Sequence, residues 1–230
     1  MANQCKVDIY WIEAEEISDQ KTYEKLTKLH GILVPGGFGI RGIDGKVDAV
    51  RFARESKIPY FGLCLGMQCA VIEFARNVLK LKGANSSEFD EYTKYPVIDI
   101  LPDQKSIDRL GGTMRLGSYR CNLVKGSKAQ LAYQTDDVME RHRHRFEFNM
   151  LFKESFEKAG MIFSGLSPDG NLVEIIELTD HPWFVATQFH PEFQSRPNRP
   201  HPLFKQFIKQ AKLLKDERIK NRKLADKVVE

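Results

Sequence analysis

The sequence predicts an α/β protein: an open, mostly parallel sheet with flanking helices and an added antiparallel strand region. Three observations carry that prediction. Strand-type apolar runs alternate with helix-type segments through the first third of the chain, the rhythm of strands joined by right-handed crossovers. Two glycine-rich stretches, Pro35-Gly36-Gly37-Phe38-Gly39 and Gly62-Leu63-Cys64-Leu65-Gly66, follow directly on such runs. Sheets of this class build their sites there, beyond the carboxyl ends of the strands. After residue 160, three strand-type segments follow one another, the first two joined by the turn Ser167-Pro168-Asp169-Gly170-Asn171.

Taken in order, Val7 to Ile12 reads as a first strand and Glu13 to Ser18 as an acidic loop. Asp19 to His30 carries Tyr23, Leu26 and Leu29 at helical spacing. Gly31-Ile32-Leu33-Val34 is a continuous apolar strand of the kind buried on both faces. Lys46 to Ser56 reads as a helix, Ile58 to Phe61 as the next strand, and Met67 to Arg76 as a run of helix formers. Lys82 to Arg109 is less regular, with Pro96 and Pro102. Thr113 to Val124 reads as a strand, and Arg141 to Phe148 alternates in the manner of a strand with two distinct faces. Met150 to Ala159 is helical, and Met161–Leu166, Val173–Leu178 and Trp183–Gln188 are the three late strands. From Pro202 an amphipathic pattern (Leu203, Phe204, Phe207, Ile208, Ala211, Leu214, Ile219) packs to about Leu214, then thins toward a frayed end. The chain therefore divides into a domain over 1–212 and a basic helical tail over 213–230. It holds no internal repeat.

Composition excludes several functions. Apolar content of 42% and charged content of 29% in 230 residues describe a globular chain with a real core. No apolar run approaches the roughly 18 residues of a membrane span, and Met1 to Asp8 lacks the charged-then-apolar layout of a signal peptide. Cys5, Cys64, Cys69 and Cys121 form no framework spacing, so they read as free thiols of a cytoplasmic protein. Net charge is +4, but residues 205–230 hold nine Lys or Arg against four Asp or Glu, leaving the rest near neutral. The chain does not read as a nucleic-acid binder; its tail reads as a solvated helical face.

Two stretches carry chemistry. Gly62-Leu63-Cys64-Leu65-Gly66 is a nucleophile elbow with Cys in place of Ser. The turn is strained, its neighbours must be small, and the helix start that follows points N–H groups at the sulfur and favours thiolate. The plainer alternative is a buried cysteine in an αβ turn. Pro35 to Gly39 lacks both G-x-G-x-x-G and a following Gly-Lys-Ser/Thr, which speaks against a nucleotide phosphate loop. Either it is a turn, or its backbone is held open to donate N–H groups to a developing oxyanion. His190-Pro191-Glu192 ends the last strand. Residues two apart project to one side, so Glu192 can reach the His190 imidazole and fix its tautomer while the other nitrogen takes a proton. His142 and His144, flanked by arginines, do not read as a metal site.

Together, Pro35 to Gly39, Gly62 to Gln68 and His190 to Glu192 resemble a class I (triad) glutamine amidotransferase domain. Gly83 to Phe89, Gly112 to Gly117, Glu140 to Arg145 and His181 to Val185 resemble more closely the glutaminase half of the CTP synthase family, and the likeness spans roughly Val7 to Ile208. The resemblance implies glutamine hydrolysis through a thioester, with Cys64 as nucleophile, His190 as general base and acid, and Glu192 as orienting carboxylate. It implies oxyanion donors at Gly37 and Leu65, and L-glutamine binding by Gly37, Leu65, Gly66, Met67, Gln68, Glu88 and Arg145. One acid and one base suit the ammonium and carboxylate of a free amino acid. No cofactor or metal is implied in this chain. ATP, Mg2+ and UTP are expected on an amidoligase (synthetase) domain, GTP as activator at the domain interface, and an oligomer when the full enzyme assembles. The resemblance also places one strand and one helix ahead of the first strand read here, so that the domain is expected to be truncated at its N-terminus. Two other readings are an inactive remnant or interaction module with an unassembled triad, and a Cys–His hydrolase acting on γ-glutamyl or peptide bonds.

Overall fold

Four buried apolar residues, Tyr60-Phe61-Gly62-Leu63, form the strand on which the site is built. The computed structural model of the protein describes residues 2–17, 19–100 and 114–228. Its first half runs α1 (Gln20–Thr27), β1 (Ile32–Val34), α2 (Ile43–Glu55), β2 (Tyr60–Leu63) and α3 (Leu65–Asn77). Then come β3 (Asn85–Ser86), β4 (Pro96–Ile100), β5 (Arg115–Leu123), α4 (Lys128–Tyr133), β6 (Asp137–His144) and β7 (Phe146–Phe148). The chain ends with α5 (Lys153–Lys158), β8 (Met161–Leu166), β9 (Val173–Leu178), β10 (Phe184–Thr187) and α6 (Pro202–Val228).

Among the described residues, seven strands form one sheet in the order β1-β2-β10-β9-β8-β5-β6, and β3-β4-β7 form a second. In the large sheet, β2 pairs in parallel with both β1 and β10, while every pairing from β10 through β9, β8 and β5 to β6 is antiparallel. This is the α/β sheet with an added antiparallel region that the sequence predicts. Alternation along β2 and β10 sends side chains to two cores. Tyr60 and Phe184 stack at 4.6 Å in the core under α2 and α3, whereas Phe61, Leu63 and Val185 enter the core under α6. Phe61 meets Phe204 and Phe207 with ring centroids 5.2 and 5.8 Å apart. A fully buried Phe of this kind contributes roughly 2–3 kcal/mol by transfer from water.

Three expectations need correction or extension. Val7 to Ile12 is not a strand: it pairs with no other strand among the described residues, and Val7, Ile9, Tyr10 and Trp11 are exposed. Strand propensity without a neighbouring ladder and a core face does not hold a strand; of this stretch, Ile12 alone packs on the core. The alternating Arg141 to Phe148 run is split at Arg145, with β6 in the large sheet and β7 in the small one. The tail continues as one helix to Val228. Arg218 donates to Thr27 O at 3.1 Å and Leu29 O at 2.8 Å, covering carbonyls at the end of α1, a polar tether that apolar periodicity does not register. Helix α4, too short for apolar periodicity to announce, is capped by Ser127, which accepts from Gln130 N–H at 3.1 Å. Residues 101–113, with Pro102 and the first residue of the Thr113–Val124 strand, lie outside the described residues.

Candidate active site

Cys64 sits where β2 turns into α3, at φ 49° and ψ −100°, a strained conformation for a residue with a side chain. The elbow glycines are required by close approach. A Cβ on Gly66 would lie 2.2 Å from Val34 O, and one on Gly62 would lie 2.8 Å from the Gly66 carbonyl carbon. Cys64 N–H donates to Thr187 O at 2.7 Å, tying the turn to β10, and Tyr60 Oη donates to Gly66 O at 2.8 Å. The thiol is buried.

The helix start does not make it a resting thiolate, contrary to the sequence expectation. Burial pushes the Cys64 thiol up to about 12; the Leu65 N–H opposes the rise, and the Glu192, Glu147 and Glu88 carboxylates add to it. Desolvating a sulfur anion among three acids outweighs one N–H and a helix dipole.

His190 and Glu192 leave β10 together. His190 Nδ1 and Glu192 Oε1 are 2.6 Å apart, the ring stacks on Phe193 at 4.7 Å, and His190 N–H donates to Arg141 O at 2.8 Å. The carboxylate accepts from Nδ1–H, so Nε2 is the free lone pair. His190 Nε2 is buried with no hydrogen-bond partner among the described residues. A methyl placed on Gly36 would lie 2.8 Å from His190 Cε1 and 3.5 Å from Cys64 Cβ. The Cys64 and His190 side chains therefore both approach Gly36, where a methyl group would crowd the imidazole.

The remaining predicted residues come from separate stretches of the chain. Gly37 faces Leu65: its Cβ would lie 3.2 Å from Leu65 Cδ2. Leu65, Gly66, Met67 and Gln68 form the buried first turn of α3. The Gln68 amide is turned inward, donating to Phe146 O at 3.2 Å and to Gln188 Oε1 at 3.5 Å. Glu88 is half-buried, and its Oε1 accepts from Gly39 N–H at 3.4 Å. Burial raises its carboxyl above the usual range; Gly39 and the Arg145 guanidinium pull it down. Arg145 is exposed at the break between β6 and β7. Glu88 and Glu192 thus lie close enough for their charges to act on the Cys64 thiol, and Arg145 close enough to act on Glu88.

The sequence did not reveal a buried polar cluster around Arg115. Arg115 Nη2 donates to Glu174 Oε1 at 2.6 Å, and its Nη1 lies 3.7 Å from Glu147 Oε1. His144 Nδ1 donates to Phe146 O at 3.2 Å, leaving Nε2 to accept from His142 Nδ1 at 2.9 Å. His142 Nε2 then faces Glu174 Oε2 at 3.5 Å. Burial, with Arg115 adding, lowers His142 to about 2 and His144 to about 3, so both rings are neutral. Burial raises Glu147 and Glu174. One available signal was Glu174 and Glu177 inside the otherwise apolar strand β9. Among the described residues, no group of three His, Cys, Asp or Glu could hold a metal ion, and no helix is long and apolar enough to cross a membrane.

Comparison with known proteins agrees with this architecture. The model of the glutamine amidotransferase class-I family matches residues 1–210. A CTP synthase of Clostridium acetobutylicum is 59% identical over 216 residues, covering 94% of this chain and 40% of that protein. The CTP synthase of Bacillus subtilis is 60% identical over 202 residues, covering 88% and 38%. The chain thus spans about 40% of the length of the curated relatives it matches. A solved structure, the glutaminase domain of Trypanosoma brucei CTPS with bound acivicin, shares the fold with a TM-score of 0.84 at 39% identity, over 90% of this chain and 81% of that one. The chain belongs to the glutamine amidotransferase class-I family, and within it is similar to the glutaminase part of CTP synthases.

Proposed function

We propose that this chain is the glutaminase component of a CTP synthase, hydrolysing L-glutamine through a thioester on Cys64. The observation that carries the proposal is the approach of Cys64 and of the Glu192-held His190 to the same residue, Gly36. His190 Nε2 takes the thiol proton as the sulfur attacks the γ-carboxamide carbon. N–H groups of Gly37 and Leu65 receive the oxyanion. Collapse breaks the C–N bond, and His190 returns its proton to the departing nitrogen, releasing ammonia. Water, deprotonated by the same imidazole, then cleaves the thioester to glutamate and restores the thiol. Glu192 steadies the imidazolium in both halves. A thiol raised to about 12 suits this route, because proton transfer must accompany attack rather than precede it.

Glu88 and Arg145 take the α-ammonium and α-carboxylate of free glutamine, with Gly37 and Leu65 to Gln68 lining the rest of its site. This pair disfavours a peptide substrate, in which one of those charges is masked. The assembled His190–Glu192 pair likewise speaks against an inactive remnant. Residues 1–212 form the glutaminase domain and 213–230 its basic C-terminal tail. Ammonia passes to an amidoligase domain that uses ATP and Mg2+ to aminate UTP, with GTP as activator where the domains meet and an oligomer as the complete assembly. The four free cysteines fit a reducing, cytoplasmic setting.

Glutamate release from L-glutamine, measured for the chain alone and with a separately produced amidoligase domain, tests the proposal. Activity that Cys64→Ala abolishes supports it; activity that survives Cys64→Ala overturns it.

A further inference from the structure

Gln188 lies two residues before His190 as the chain leaves β10, and it is completely buried. In extended backbone, residues two apart project to the same side, so Gln188 and His190 both address the elbow. Gln188 N–H donates to Glu174 O at 2.8 Å, which seats the residue on β9. Its side-chain Nε2 lies 3.7 Å from Cys64 Sγ, within reach of an N–H···S contact.

The orientation of that amide follows from its neighbours. Phe146 O can only accept, so the Gln68 nitrogen must face it, at 3.2 Å. The same Gln68 nitrogen lies 3.5 Å from the Gln188 side chain, which must therefore present its oxygen there. That leaves the Gln188 NH2 turned toward the sulfur. Gln68, on the first turn of α3, thus fixes the donor.

We propose that Gln188 is a further catalytic residue: its amide donates an N–H to the Cys64 sulfur and, with the Leu65 N–H, holds the thiolate as it forms. The inference rests on the reading of Cys64 as the nucleophile. It answers a need of the site, since burial and the nearby Glu192, Glu147 and Glu88 all disfavour sulfur anion. A neutral amide supplies a donor there without introducing a charge that would compete with Arg145 for the substrate carboxylate.

The test reads the sulfur without glutamine. Gln188→Met keeps length and removes the donor. Carbamidomethylation of Cys64 by iodoacetamide, distinguished from that of Cys69 by peptide fragmentation, is followed by mass spectrometry as a function of pH. The plot of log rate against pH is expected to move up the pH axis by about one unit, roughly a tenfold slower reaction at fixed pH, with the melting temperature retained. The kcat for glutamine falls while KM holds. A folded Gln188→Met whose alkylation line coincides with that of the unsubstituted chain overturns the proposal. Should that variant not fold, the 15N-labelled Gln188 side-chain amide decides. Its resonances shift in Cys64→Ala if the N–H donates to sulfur, and unmoved resonances overturn the proposal. Survival of glutamine hydrolysis in Cys64→Ala would sink the functional reading instead, an outcome separate from either result on Gln188.

Discussion

Replacing Gly36 by alanine places a methyl group against the His190 imidazole and beside Cys64 Cβ. Its carbon would lie 2.8 Å from His190 Cε1, where ordinary carbon–carbon contact is about 3.5–4.0 Å. The ring must therefore retreat by about 0.7–1.2 Å. It cannot pivot freely, because Glu192 holds Nδ1 at 2.6 Å, Phe193 stacks on its face and its backbone N–H is bonded to Arg141 O. Cys64 Cβ, 3.5 Å from the new methyl, is in ordinary contact and need not move. Gly36 is not among the glycines with positive φ, so alanine brings no backbone strain. A displacement near 1 Å at a reacting group costs on the order of a hundredfold in rate. Initial rates of glutamate release, with circular dichroism and thermal melting to confirm folding, measure the effect. We expect kcat to fall about a hundredfold with the cooperative melt preserved. A folded Gly36→Ala within about threefold of the starting activity would refute a catalytic role for the imidazole packed against Gly36.

Other substitutions separate binding from chemistry. Glu192→Gln keeps the shape but loses the charge that steadies the imidazolium; kcat should drop by about 10²–10⁴ with KM little changed, measured by steady-state kinetics. Glu88→Gln should raise KM for glutamine about tenfold or more, the scale of one charged hydrogen bond, with kcat less affected. Burial raises the Glu88 carboxyl, and only its ionised form attracts an ammonium, so KM should climb on acidification at a higher pH than an exposed glutamate would give. His142 is held neutral down to about 2 when folded but takes a proton near 6.5 when unfolded. Its contribution is therefore full above pH 6.5 and declines as pH falls toward the folded value. His142→Asn removes that liability. In urea melts, the stability of the original chain relative to the variant should fall by roughly 1–2 kcal/mol between pH 6.5 and pH 5.

Local pattern carried much of the architecture. Strands β8, β9 and β10, the buried run through β2 and the elbow glycines are short-range signals: apolar runs bounded by turns, and small residues beside a strained position. Glu192 was readable as the partner of His190 because the two are neighbours in sequence. What escaped depended on distant pairings. Val7 to Ile12 has strand-like residues, but a strand exists only with a ladder partner. Arg115 and Glu174 meet across the sheet from positions 59 residues apart, and no periodicity announces such a contact. The thiolate expectation at Cys64 failed for a related reason: its helix dipole is local, whereas the burial that raises the thiol, and then the Glu147 and Glu88 carboxylates that add to it, come from other elements. Gly36 and Gly37 look alike in sequence; coordinates were needed to set one beside His190 and the other beside Leu65.

The most direct measurement is acid-quenched mass spectrometry of the chain during glutamine turnover, with peptide mapping of all four cysteines. A γ-glutamyl adduct located on Cys64 by fragmentation of the peptide that it shares with Cys69, absent in Cys64→Ala and accumulating less in His190→Ala, is the predicted result. Sustained release of glutamate with that peptide unmodified, or with the adduct on Cys5, Cys69 or Cys121, would contradict it.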